Sequence, residues 1–181
     1  MTAIELHRLL ANRWSPTTFD PLHQATPTEL EALLEAARWS ASAGNSQPWA
    51  FIAAFRGDDM HRRLVPHLAG SSAAWAPSAS VLIANLSHRY VEGTDWEYSE
   101  FSLYDLGQAV ACMTFQAQAL GLSVRQFRAF DCGAIASEFD VPPHWEVTTL
   151  SAIGRAAPTQ ARRRRRPLAE LTWPAAADAP R

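Results

Sequence analysis

Lysine is absent from this chain. All sixteen basic residues are arginines, so every positive charge is fixed at working pH and each can grip an oxyanion through two hydrogen bonds. Cysteine is scarce: Cys112 and Cys132 are too few for a disulfide framework and read as reduced core residues, with catalytic thiols as the alternative. No apolar run approaches the roughly 20 residues that cross a bilayer. The opening MTAIELHRLL lacks the basic and apolar blocks of a secretion signal, so a cytoplasmic location is the expectation. No Gly-x-Gly-x-x-Gly occurs, which leaves a Rossmann site unsupported. The six histidines (His7, His23, His61, His67, His88, His144) show no metal-ligand spacing, and residue order alone supports no Ser-His-Asp arrangement. A net charge of −2 argues against general affinity for nucleic acid.

What is present fits one well-buried domain. The chain has 181 residues, 48% of them hydrophobic, which suits a single domain over residues 1–173 with a short tail at 174–181. Thr2 with Glu5 reads as a capping box opening a helix over residues 3–12. Thr26, Pro27 and Glu29 form a stronger start, followed by Leu30, Leu33, Leu34 and Ala37 on one face. Residues 50–55 and 80–86 read as buried strands, and Asp58 or Asp59 caps a short helix that stops near Pro66. The longest helical pattern begins near Phe101 and runs through Leu106, Val110, Met113 and Ala117 to Gly121. Its breadth makes it either central in the domain or part of a subunit interface. Residues 122–127 and 147–153 read as further strands, with a helix from Asp131 to about Phe139 between them. Without βαβ units of regular length, the class is α+β: a mostly antiparallel central sheet with helices on both sides. A parallel α/β arrangement is the alternative.

Three separated segments can carry chemistry. Arg13-Trp14-Ser15-Pro16-Thr17-Thr18-Phe19 places an arginine and a serine two apart, pointing the same way in an extended loop and able to hold a phosphate. Taken alone, it is better read as a solvated loop. Ser40 to Trp49 (SASAGNSQPW) is small, polar and glycine-containing, which lets a ligand approach the backbone. Asn45 and Gln47 each donate and accept, suiting a ring edge with carbonyl and N–H groups; the competing reading is a self-bonded turn. In Arg162 to Arg166, followed by Pro167 and Leu168, an extended chain puts Arg163 and Arg165 on one side and the other three opposite. That suits a phosphate clamp. A disordered basic tail or a nucleic-acid patch are the alternatives, although no aromatic residues interleave the arginines.

Together, in order and spacing, the three segments resemble the FMN-dependent nitroreductase family. Arg13, Ser15 and Phe19 match its first motif. Ser42, Asn45, Gln47, Pro48 and Trp49 match its second, and Gly154, Arg163, Arg165, Arg166, Pro167 and Leu168 its last. Asp105 and the long helix ending at Gly121-Leu122 look like its central helix. The resemblance implies a three-layer fold, an intertwined homodimer with FMN at the subunit interface, and hydride transfer from NAD(P)H to a nitroaromatic, quinone or similar acceptor with ping-pong kinetics. It implies that Arg13, Arg163 and Arg165 hold the FMN phosphate, with Trp14, Ser15 and Thr17 in the same segment. Ala41, Ser42 and Ala43 would line the isoalloxazine, Asn45 and Gln47 would support the loop or the pyrimidine edge, and backbone N–H groups of Arg128-Ala129-Phe130-Asp131 would approach flavin N5. No side chain is required as nucleophile or base. The chain departs from the pattern at Thr17, where a basic residue is usual, at Ala41 for proline, near Ser71 or Ser72 for a frequent asparagine, and at Arg128 for an acid. These departures keep a flavin store or sensor with little turnover as the alternative.

Overall fold

A computed structural model describes residues 5–156 and 163–172. Thr2, Arg162 and the tail at 174–181 lie outside the described residues. The first helix corrects the expected start. Helix α1 is Arg8–Asn12, and His7 caps it, its Nδ1 accepting the Leu9 N–H at 3.3 Å. Glu5 precedes the helix, out of reach of any N3 position. So short a helix does not persist on propensity alone; what remains is the part that rests on the long central helix.

Helix α2, Pro27–Arg38, starts as the sequence dictates. Thr26 Oγ1 accepts the Glu29 N–H at 3.2 Å, and Glu29 Oε2 accepts the Thr26 N–H at 2.7 Å. Strand β1, Trp49–Phe55, follows, then α3, Asp59–Leu64, capped by Asp58, and the short α4, Gly70–Ala73. Strand β2 is Val81–His88, α5 is Ser102–Ala119, β3 is Ser123–Phe127, α6 is Cys132–Glu138 and β4 is Trp145–Gly154. Gly121, at φ 76°, ends α5 by turning the chain so that the Leu122 N–H reaches the Ala117 carbonyl at 2.8 Å.

The four strands form one sheet in the order β1-β2-β4-β3, every pairing antiparallel. The α+β expectation therefore holds and the parallel alternative does not. Alternation along β2 divides the core. Leu82, Ala84 and Leu86 pack with Leu64 of α3 and Ile135 of α6; Val81 and Ile83 pack with Leu33 of α2 and Met113 of α5. The result is three layers with the sheet in the middle. A strand covered on both faces reads as an unbroken apolar run rather than an alternating one, and SVLIANL is such a run. Its one polar interruption, Asn85, is fully buried and sits at a register shift, donating to Thr149 and Ser151 of β4. Among the described residues no helix is long and apolar enough to cross a membrane.

Candidate functional site

The Arg13–Phe19 segment is pinned at both ends. Phe19 is 3% exposed and lies against Gly154, where a Cβ would come within 3.1 Å of its ring and of Ser80. Glycine at 154 is thus the condition for the phenylalanine to seat. The Asp20 N–H donates to the Arg155 carbonyl at 2.8 Å. From this anchor the chain runs back to Ser15, whose carbonyl accepts from Arg125 of β3 at 3.1 Å. Arg13 Nη1 then donates to Ser15 Oγ at 3.1 Å, so the arginine and serine share one side as their spacing predicts.

Arg163 joins them across the chain, its guanidinium donating to the carbonyls of Ala11 and Arg13. It thereby takes up acceptors at the open end of α1. Burial, and then the charges of Arg163 and Arg165, lower the Arg13 pKa from its usual value. Arg163 and Arg165 thus both place positive charge near Arg13, and none of the three has a carboxylate partner among the described ion pairs. Such a cluster is destabilised by its own charge until an anion enters, and planar guanidinium forks match the oxygens of a phosphate. Beside it a recess of about 220 Å³ is lined by Arg13, Ser15, Thr114, Phe115 and Gln126. That is smaller than the ~300–1,000 Å³ usual for a whole small ligand. Trp14 turns away, lining a separate recess with Gln118, Ser123 and Arg163. Thr17 is exposed.

The second segment is held from within. Gly44, Asn45 and Gln47 all have positive φ, at 59°, 55° and 49°. The two non-glycine residues carry strain on the order of 1–3 kcal/mol each. Internal bonds offset it: Ser42 Oγ accepts the Gln47 N–H at 3.0 Å, and Gln47 Nε2 donates to the Asn45 carbonyl at 3.2 Å. Gln47 therefore supports the loop, one of its two expected roles, and its amide nitrogen is not turned outward. The Asn45 side chain is exposed, as are Ala41 and Ala43. One bond reaches beyond the loop: Asp105, 2% exposed at the first turn of α5, accepts the Ala43 N–H through Oδ2 at 3.0 Å.

The third expected stretch, Arg128 to Asp131, is tied to α4. The Ala129 carbonyl accepts the Ala69 N–H at 3.1 Å and the hydroxyl of buried Ser72. Ser72 is thus a packing residue, and Ser71 is the exposed one of the pair. The Phe130 and Asp131 N–H groups are taken by the carbonyls of Arg128 and His67. Of the four amides expected to face a ligand, two are occupied. The Arg128 guanidinium lies 4.8 Å from the centre of the Phe130 ring, and the residue is exposed.

The sequence missed Arg125, Gln126 and Thr114. Arg125 orders Ser15 and packs its guanidinium over Trp75 at 5.1 Å; Gln126 and Thr114 line the recess. Three polar residues within a strand of five, Ser123, Arg125 and Gln126, were the available signal. The structure brings Arg13, Ser15, Arg163 and Arg165 together but leaves the 41–47 loop elsewhere. The loop meets α5 at Asp105 and the arginine recess meets it at Thr114. Nine residues at about 1.5 Å and 100° each separate these contacts by roughly 14 Å and half a turn of the helix.

Fold and site define a class: a three-layer α+β protein with an uncompensated arginine cluster and a strained, backbone-rich loop on opposite sides of one helix. Residues 10–85 match the model of the Nitroreductase family. An oxidoreductase containing FMN superposes with a TM-score of 0.79 at 28% identity, over 87% of this chain and 80% of that one. A protein from Exiguobacterium sibiricum 255-15, solved with FMN bound, superposes with a TM-score of 0.80 at 18% identity, over 95% and 98%. The major NAD(P)H-flavin oxidoreductase of Aliivibrio fischeri is 49% identical over 43 residues, 24% of this chain. That match spans a fifth of the relative's length.

Proposed function

We propose that the protein binds FMN and moves hydride from NAD(P)H to a nitroaromatic, quinone or similar small acceptor. The observation that carries this reading is the cluster of Arg13, Arg163 and Arg165, three fixed charges with no described counter-charge, in a fold shared with proteins solved with FMN. Arg13 and Arg165 grip the phosphate, Ser15 orients Arg13, and Arg163 closes the cluster while tying it to α1. Ala41, Ser42 and Ala43 offer backbone to the ring, with Asn45 and Gln47 shaping the loop. Arg128 and Ala129 bound the ring from the β3 side, where Arg128 brings positive charge. Bound FMN supplies the two-electron carrier between donor and acceptor. Donor and acceptor use one space in turn, which gives ping-pong kinetics.

A homodimer completes the site. Within one chain the arginine recess and the 41–47 loop lie on opposite sides of α5, so each is half of a site that a second copy supplies. The exposed apolar residues near the start of α5, Phe101, Leu103 and Tyr104, with Trp39 and Trp96, are surface that such a partner would cover. Purified protein is expected to be yellow, or to take up added FMN, and to bleach with NAD(P)H. Colourless protein that takes up no FMN overturns the reading; bleaching with no turnover of menadione or a nitroarene replaces the enzyme with a flavin store. Sedimentation at low micromolar concentration tests the dimer, and a stable FMN-loaded monomer contradicts it.

A further inference from the structure

A carboxylate outside all three sequence segments, that of Asp105, is bonded to the 41–47 loop. Asp105 is almost wholly buried in the first turn of α5. Its Oδ2 accepts the Ala43 N–H at 3.0 Å, and its Oδ1 accepts from Gln108 Nε2 at 3.3 Å. No arginine or histidine pairs with it among the described ion pairs. A buried carboxylate is retained at a cost unless its oxygens are occupied. Here one of the two bonds leaves the helix and fastens a loop in which three of four consecutive residues, Gly44, Asn45 and Gln47, have positive φ.

The loop's other bonds are internal, such as those from the Gln47 N–H to Ser42 Oγ, from Gln47 Nε2 to the Asn45 carbonyl, from the Asn45 N–H to the Ser42 carbonyl and from the Ser46 N–H to the Ala43 carbonyl, or run to the adjoining Ser40 and Trp49. They fix its shape but not its place. Position comes from its ends, on α2 and β1, and from Asp105. Ser42 precedes Ala43 in an extended conformation, φ −148° and ψ 154°, so the Ala43 amide is the first of the turn to face α5.

We propose that Asp105 is a positioning residue for the ligand site: its hydrogen bond to the Ala43 amide sets where the backbone of residues 41–43 stands against a bound flavin. This rests on the FMN reading above. The bond requires an acceptor, not a charge, so asparagine can replace the aspartate: its Oδ1 takes the Ala43 N–H, and its amide donates to a turned Gln108.

The test compares wild type, Asp105→Asn and Asp105→Ala in two measurements, hydrogen exchange at the Ala43 amide without flavin and FMN affinity by fluorescence quenching. In Asp105→Ala the amide exchanges faster and the FMN Kd rises about tenfold or more, the loss expected of one hydrogen bond to a charged acceptor. In Asp105→Asn exchange stays slow and the Kd stays within about threefold, under half the free energy of a tenfold change. Asp105→Ala behaving like wild type overturns the inference, as does Asp105→Asn failing equally with Asp105→Ala. Ala43→Pro removes the donor while leaving the carboxylate, and suits the extended residue before it. It should weaken FMN binding as Asp105→Ala does, and adding Asp105→Ala to it should cost little more; full additivity overturns the inference. If wild type binds no FMN, the functional reading fails, while the exchange data still decide whether Asp105 holds the loop.

Discussion

The arginine cluster and the 41–47 loop, the two halves of the proposed site, are held in opposite ways. The cluster is made of like charges that repel; Arg13 is less basic than usual because it is buried and because Arg163 and Arg165 are near. On the proposed reading, its stability would come from outside the chain, from a bound anion. The loop is nearly neutral and strained in its backbone, and its stability lies inside, in Ser42, Gln47 and Asp105. The proposed site would thus have one half completed by its ligand and the other finished before the ligand comes.

Four experiments sharpen or break that contrast. The largest effect is expected from Arg13→Gln with Arg165→Gln. Two charge-assisted contacts at about 1.5–3 kcal/mol each imply a loss in FMN affinity of roughly 100-fold or more. Riboflavin, which has no phosphate, should bind both proteins alike in a titration; an equal loss for riboflavin would make the cluster structural. Next, Ser42→Ala removes the acceptor of the Gln47 N–H and should weaken FMN and riboflavin together by about fivefold, the worth of an ordinary hydrogen bond near 1 kcal/mol. A loss for FMN alone would erase the distinction between the halves.

Third, Arg165→Gln should slightly raise the melting temperature of the flavin-free protein, because a repulsion is relieved, and reduce the rise that FMN produces. A flavin-free variant less stable than wild type would mean that the arginines already have internal partners. The smallest effect serves as a control outside both regions. The Glu29 pKa is lowered from 4.5, chiefly by the Thr26 N–H. A lowered folded value means that the stabilisation is full above the ordinary carboxylate value and is lost as pH falls through the folded one. Glu29→Gln keeps the capping geometry and should flatten the fall of the melting temperature below about pH 4.5, with FMN affinity at neutral pH unchanged.

Much of this was legible in the sequence because it depends on neighbours in the chain. The Thr26-Pro27-Glu29 start, the Asp58 and Asp131 caps and the apolar run of β2 are local signals, and each element stands where they put it. The Arg13–Ser15 bond is local too. Missed features depend on distant residues. Helix α1 begins five residues late because tertiary support, not a cap, decides how much of it survives. Arg125 reaches Ser15 across 110 residues, and the polar residues of Ser123–Phe127 do not say which partner they meet. The half-turn between the two half-sites is set by where each loop lands on α5, which no periodicity encodes.

Helix α5 is therefore a ruler as well as a core element. Between Asp105 and Thr114 its length is a fixed number of peptide units, and every unit is locked into the core through Leu106, Ala109, Val110 and Met113. One residue inserted there would advance one half-site by about 1.5 Å and swing it by about 100° around the axis. In the proposed dimer, no adjustment of either loop could restore the match with a partner copy. The segments around the helix can trade residues without altering this spacing, as at Thr17, Ala41 and Arg128, but the helix between the two contacts tolerates substitution only, never a change of count.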